Sequence, residues 1–293
     1  MSVSDIDSAV AHTASDLVVQ GPHVLREDVA ILQLMTHAAG VEPLSRAQCD
    51  AFRLPEPLAV DGVREACEAA GYDWALVPQS RRLERVRLVA FDMDSTLITI
   101  ECVDELAEFR GVGDEVAAIT ASAMRGEIDF RASLERRVAV LAGLPEAELV
   151  RVYDERVRLT PGAGRLIDAC RRNGAKTLLV SGGFTFFTER LRVRLDIDHT
   201  LANTLEIAGG QLTGRLVGDV VDAGAKAARF SELAARYRDG DGLAVAIGDG
   251  ANDLPMLAAA DVSVAYRAKP RVRAQAMHAI DHCGLDAVLN LFA

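Results

Sequence analysis

Asp92 and Asp94 stand two residues apart in Asp92-Met93-Asp94-Ser95-Thr96, directly after the apolar run Val86–Phe91. Two carboxylates so placed repel unless a cation or a shared proton lies between them. A third acid, Asp249, lies in Gly248-Asp249-Gly250-Ala251-Asn252-Asp253 after the apolar run Leu243–Ile247, where the glycines permit a sharp turn and close approach by a ligand. An oxygen-only ligand set suits magnesium. Between these motifs Thr177–Val180 runs into Ser181-Gly182-Gly183, a hydroxyl and backbone N–H groups at the start of a helix, which favours an anion. Lys226 falls in an expected helix, Ala223–Tyr237, and is one of three lysines among 32 basic residues. The set comprises a candidate nucleophile, a second acid, an anion-binding turn, a lysine and a metal-binding carboxylate.

Groups at the ends of three apolar runs can meet only if those runs lie side by side. Strand-like segments alternate with segments of helical period through most of the 293 residues, which predicts an α/β fold around a largely parallel sheet. Continuously apolar strands suit a sheet covered on both faces, and ligands of such sheets gather at the carboxyl ends of the strands. More than sixty residues separate Thr96 from Thr160, where a crossover needs only about a dozen. The excess reads as a helical cap inserted at about 98–160, with helices through Cys102-Leu106-Phe109, through Phe130-Leu134-Val138-Leu141 and over Pro145–Val157. Asn203–Val217, with Gly209-Gly210 at its centre, predicts a hairpin that extends one sheet edge.

Residues 1–80 read as a small α+β domain, with strands near Leu17–Val19, Ala51–Leu54 and Trp74–Val77 and helices over Val29–Ala39 and Val63–Ala70. Arg81–Arg85 links it to the main domain, 86–293. It carries no catalytic cluster, and its expected role is regulatory, dimerising or structural; a homodimer stays open. Acidic residues number 43 against 32 basic, for a formal charge of -11, so nucleic acid is not an expected partner. No apolar run approaches the eighteen or so residues that span a bilayer, so no membrane partner is expected either. Met1–Asp16 is polar and mildly acidic, without the basic start and apolar stretch of a secretory leader, and the expected location is cytoplasmic. The five cysteines, odd in number and without C-x-x-C spacing, read as ordinary buried thiols.

In the order DxDST, SGG, K, GDGAND, these motifs resemble the haloacid dehalogenase (HAD) superfamily in its phosphatase branch, over about residues 86–285. The resemblance implies a Rossmann-like parallel sheet core, a helical cap and Mg2+ as cofactor. It implies Asp92 as the nucleophile that forms an aspartyl phosphate, and Asp94 as the general acid–base that protonates the departing alkoxide and then activates water. By the same resemblance the side chains of Asp92 and Asp249 and the backbone carbonyl of Asp94 hold the metal. Ser181, Gly182 and Lys226 then neutralise the phosphoryl oxygens, Asn252 and Asp253 lie at the same site, and Thr96 locks the turn.

Two charged cap residues bear on the substrate. Arg137 falls on the helical stripe of Phe130, Leu134 and Leu141, and Glu101 is surrounded by Leu97, Ile98, Ile100, Cys102 and Val103. A desolvated arginine needs an anionic partner. Either the two residues pair with each other, or Glu101 simply favours the first turn of its helix, or Arg137 forks the carboxylate of a zwitterionic ligand while Glu101 takes its ammonium group. The wider pattern resembles the phosphoserine phosphatase family: DMDSTLI with Glu101 nine residues after Asp92, Met124-Arg125-Gly126, Asp129-Phe130, Arg137, VSGGF and GDGANDLPML. That resemblance implies contacts from Glu101, Met124, Phe130 and Arg137 to the serine part, with Gly183 and Asn252 also at the substrate. It implies hydrolysis of O-phospho-L-serine, the last step of serine biosynthesis. A related phosphatase or phosphotransferase acting on another amino-acid phosphate stays open, as does a phospho-accepting signalling module.

Overall fold

The computed structural model describes residues 14–293, so most of the Met1–Asp16 segment read above as leaderless lies outside the described residues. Strands β1 (Ser15–Gly21), β2 (Glu42–Leu44), β3 (Asp50–Leu54) and β4 (Asp73–Pro78) form an antiparallel sheet in the order β2-β3-β1-β4. Side chains alternate across a strand. Leu17 and Val19 of β1 therefore pack with Val29 and Leu32 of the helix Arg26–Thr36 and with Val63 and Cys67 of the helix Val63–Ala70. Val18 joins Ala75 and Val77 in the core shared with the rest of the molecule. β2 is a strand beyond the three expected; its three residues Glu-Pro-Leu lie largely exposed at the sheet edge and carry no apolar alternation.

The second sheet is built from β5 (Val86–Phe91), β6 (Lys176–Phe184), β7 (His199–Ala208), β8 (Gln211–Val217), β9 (Leu243–Gly248), β10 (Val262–Tyr266) and β11 (His278–Ile280), ordered β11-β10-β9-β5-β6-β7-β8. All neighbours are parallel except β7 and β8, which form the expected hairpin. The unbroken apolar sequence of β5 follows from burial on both faces. Leu88 and Ala90 cluster with Phe230 and Leu233 of the helix Ala223–Tyr237 and with Met256 and Leu257 of the helix Leu254–Ala258. Val89 and Phe91 belong to the larger cluster with Leu166 and Ile167 of the helix Ala163–Arg172. Each fully buried Leu, Val or Phe contributes about 1.5–3 kcal/mol of transfer free energy. With β9 on one side and β6 on the other, β5 delivers Asp92 to the middle of the carboxyl edge, where Asp92 N still donates to Ile247 O at 3.0 Å.

The chain enters and leaves the cap through paired segments: Thr160 N donates to Leu97 O at 3.0 Å, beside a bridge between Ile98 and Leu159. Four helices fill the insertion, Cys102–Arg110, Gly113–Met124, Phe130–Val140 and Glu146–Glu155, where three were expected. Gly113–Met124 lacks the sequence signal of a packed helix because Val116 is its one fully buried residue. The β7–β8 hairpin also props the cap, with Gly143 N donating to Leu212 O at 2.7 Å and Leu212 N to Leu144 O at 2.9 Å. No helix among the described residues is long and apolar enough to cross a membrane.

Candidate active site

The carboxyl ends of β5, β6 and β9 bring the motif residues together. Asp92 Oδ1 accepts from Met93 N at 2.7 Å and from Lys226 Nζ at 2.9 Å. Lys226 Nζ also lies 2.8 Å from Asp253 Oδ1, and Asp253 Oδ2 accepts from Gly250 N at 3.0 Å. Both oxygens of Asp253 are thereby engaged, and Lys226 and Asp253 are fully buried. Burial alone would lower the Lys226 pKa, but Asp253 and Asp92 outweigh it and raise it, so the ammonium stays charged. Burial, then Asp253, push the Asp92 carboxyl well up against the pull of Lys226. Burial and Asp253 likewise raise Asp249 to about 6.

Asp92, Asp249 and Asp253 place carboxylate oxygens within 4.8 Å of one another. Thr96, expected only to lock its turn, donates to Asp249 Oδ1 at 3.2 Å and so orients that carboxylate. Among the described residues no hydrogen bond reaches Asp92 Oδ2 or Asp249 Oδ2. The donor set suits a hard cation: oxygen ligands only, and more negative charge than one lysine neutralises.

Asp94 accepts from Cys102 N at 3.1 Å, at the start of the first cap helix. Burial and the nearby Glu101 raise its pKa to about 7. A carboxyl so placed can hold a proton near neutrality and release it. The next residue, Ser95, has a left-handed φ of 55° that turns the chain, and its Oγ donates to Glu101 Oε1 at 2.7 Å. On β6, Ser181 Oγ accepts from Gly183 N at 2.8 Å. Glycine is required at both following positions by close approach. A Cβ on Gly183 would sit 2.8 Å from Asp94 Oδ2, and one on Gly182 would sit 2.9 Å from Cζ of Phe130, which descends from the cap. Asn252 stands beside Asp249, its Oδ1 occupying the space next to Gly250.

Glu101 and Arg137 form no ion pair with each other. Arg137 has no salt bridge among the described residues, and its buried Nε has no hydrogen-bond partner. Burial lowers its pKa, while Asp104, then Glu101 and Asp94, pull it back up. Met124 is 71% exposed at the end of its helix, away from the packed core. Sequence reasoning missed the Thr96–Asp249 and Ser95–Glu101 contacts; hydroxyls directly after an acidic pair were the available signal.

Residues 89–258 match the haloacid dehalogenase-like hydrolase family. A phosphoserine phosphatase of Polaromonas sp. (strain JS666 / ATCC BAA-500) is 54% identical over 215 residues, 72% of this chain and 91% of that protein. The chain belongs to the phosphoserine phosphatase family of haloacid dehalogenase-like hydrolases. Solved structures of that name are similar as well. A probable phosphoserine phosphatase of Vibrio cholerae, unliganded, superposes with a TM-score of 0.83 and 37% identity, over 95% of this chain and 86% of that one. A substrate-bound phosphoserine phosphatase complex superposes with a TM-score of 0.66 and 34% identity, over 71% of this chain and 99% of that one. The second match leaves more than a quarter of this phosphoserine phosphatase family member without a counterpart.

Proposed function

We propose that the protein is a Mg2+-dependent phosphoserine phosphatase, hydrolysing O-phospho-L-serine to L-serine and phosphate as the last step of serine biosynthesis in the cytoplasm. The observation that carries this reading is Arg137, a half-buried cap guanidinium with an unsatisfied buried Nε and no salt bridge among the described residues, under the influence of Asp104, Glu101 and Asp94. Asp104 forms no salt bridge with it, which leaves the guanidinium free for an anion from outside the protein, and Glu101 supplies the opposite charge. Together they suit the carboxylate and ammonium of an amino acid. Family membership supports the same substrate.

One oxygen of Asp92 attacks phosphorus in line as the serine oxygen departs, giving an aspartyl phosphate. Asp94 donates its proton to that oxygen, then takes one from the water that hydrolyses the intermediate. Ser181, Gly182 and Lys226 stabilise the phosphoryl oxygens, and Gly183, Phe130, Met124 and Asn252 complete the substrate pocket. Mg2+ held by the Asp92 and Asp249 carboxylates and the Asp94 carbonyl would supply further positive charge; Asp253 serves chiefly to pair Lys226. Residues 1–80 form a separate domain in this reading, regulatory or dimerising.

Arg137→Ala tests the substrate assignment. Catalytic efficiency on phosphoserine is expected to fall by roughly 100-fold or more, and far less on p-nitrophenyl phosphate, because a carboxylate clamp is removed and the chemistry is left intact. Equal losses on both esters would contradict the clamp.

A further inference from the structure

β6 and β7 pair up to Val180 opposite Leu201 and then again only at Phe184 opposite Asn203. Four steps along β6 match two along β7, so Ser181, Gly182 and Gly183 swell out of the sheet over Ala202. Such a bulge takes backbone groups off the ladder, and buried ones must be satisfied another way. One side chain does this. Asn203, 2% exposed, donates from Nδ2 to Gly182 O at 2.8 Å and to Gly183 O at 3.4 Å, while its Oδ1 accepts from Val221 N at 2.8 Å. Val221 precedes Asp222, whose carboxylate accepts from Ala225 N at 2.9 Å and caps the helix that carries Lys226. A single amide therefore ties the Ser181–Gly183 turn to the lead-in of the Lys226 helix.

We propose that Asn203 is a positioning residue for phosphoryl binding, holding the Ser181–Gly183 cradle in register with Lys226. This rests on the phosphatase reading above. Two carbonyls and one N–H converge on the side chain, a demand that an amide meets and that a carboxylate, with acceptors only, or an apolar side chain does not. Asn203 lies outside all four motifs and acts through them, its polar atoms being committed to Gly182, Gly183 and Val221.

The test compares wild type with Asn203→Asp and Asn203→Ala in the presence of magnesium. Titration calorimetry with inorganic phosphate and with orthovanadate, kcat and KM on two esters, and thermal melting are the readouts. Anion affinity, and kcat/KM on both phosphoserine and p-nitrophenyl phosphate, are expected to fall together by roughly 10- to 100-fold, since small displacements of a preorganised site are costly. The ratio between the two esters is expected to stay within about twofold of wild type, because Glu101 and Arg137, the groups assigned to the amino-acid part, take no part in the Asn203 hydrogen bonds. Folded variants that bind phosphate and vanadate as wild type does would overturn the proposal, whatever their melting temperatures, because lost stability alone leaves the folded site's affinity unchanged. If Asn203→Asp does not fold, Asn203→Ala, which leaves room for water, carries the comparison. Failure of both to fold would overturn it too, marking Asn203 as a folding residue. A wild-type enzyme that cleaves no ester would instead refute the phosphatase reading, with the anion titrations still deciding Asn203.

Discussion

Lys226 lies between Asp92 and Asp253, its Nζ 2.9 and 2.8 Å from their oxygens, with all three residues buried. Removing one partner from such a group strands the others as uncompensated charges, at about 3–5 kcal/mol. Lys226→Ala is accordingly expected to abolish turnover and to shift the denaturant midpoint sharply downward. Wild-type denaturation of that variant would contradict the pairing. That Asp92, Asp94, Asp249 and Ser181 would gather at one sheet edge was legible because each lies in a short motif at the end of an apolar run. Their partners were not: Thr96 meets Asp249 across 153 residues and Lys226 meets Asp253 across 27, separations that no local pattern encodes. For Glu101 and Arg137 the sequence left three readings, mutual pairing, a helix-start preference of Glu101 or a shared ligand; the structure does not pair them with each other, and Glu101 stands at the start of the helix Cys102–Arg110.

At the scale of elements, the Ser181–Gly183 bulge clears space for two neighbours at once, Phe130 beside Gly182 and Asp94 beside Gly183. Gly183→Ala would drive a methyl to within 2.8 Å of Asp94 Oδ2 and 3.0 Å of Ser181 Oγ. The expected result is a loss of roughly 100-fold in kcat, since the acid and Ser181 are both displaced, together with a lower melting temperature, because the methyl also meets Cε of the buried Met93 at 2.9 Å. A Gly183→Ala enzyme with wild-type kcat would place Asp94 outside the reaction. β5, β6 and β9 could be read ahead of the structure because sheets covered on both faces leave unbroken apolar runs, and the hairpin because Gly209-Gly210 marks its turn. β10 could not: Ser263 interrupts it, and that hydroxyl is satisfied by Met277 N at 2.9 Å, a partner distant in sequence. The cap helix Gly113–Met124 was hidden by its nearly stripe-free, solvent-facing composition.

Across the whole molecule, the amino-terminal sheet and the carboxyl-terminal segment are joined by buried polar contacts as well as by apolar packing. The Asp73 carboxylate accepts from Asp281 N at 2.7 Å, His282 N at 3.2 Å and Cys283 N at 3.0 Å, and Gln20 Oε1 accepts from Asn290 Nδ2 at 2.9 Å. Arg46 and Arg53 both donate to Phe292 O, at 2.6 and 2.7 Å. Asp73→Ala would leave three N–H groups without a partner, costing about 3 kcal/mol and lowering the melting temperature by roughly 6–12 °C. Unchanged melting would show the two parts to be energetically independent. The sequence suggested a linker at Arg81–Arg85 and gave no hint of this junction, whose partners lie more than two hundred residues apart. Phosphate release from phosphoserine, phosphothreonine, phosphoglycolate, phosphohomoserine and sugar phosphates, with magnesium or with EDTA, tests whether this assembly hydrolyses phosphoserine at a metal-dependent site. A strong preference for phosphoserine and loss of release in EDTA are expected; magnesium-dependent release from another ester with none from phosphoserine, or no release at all, would refute the proposed function.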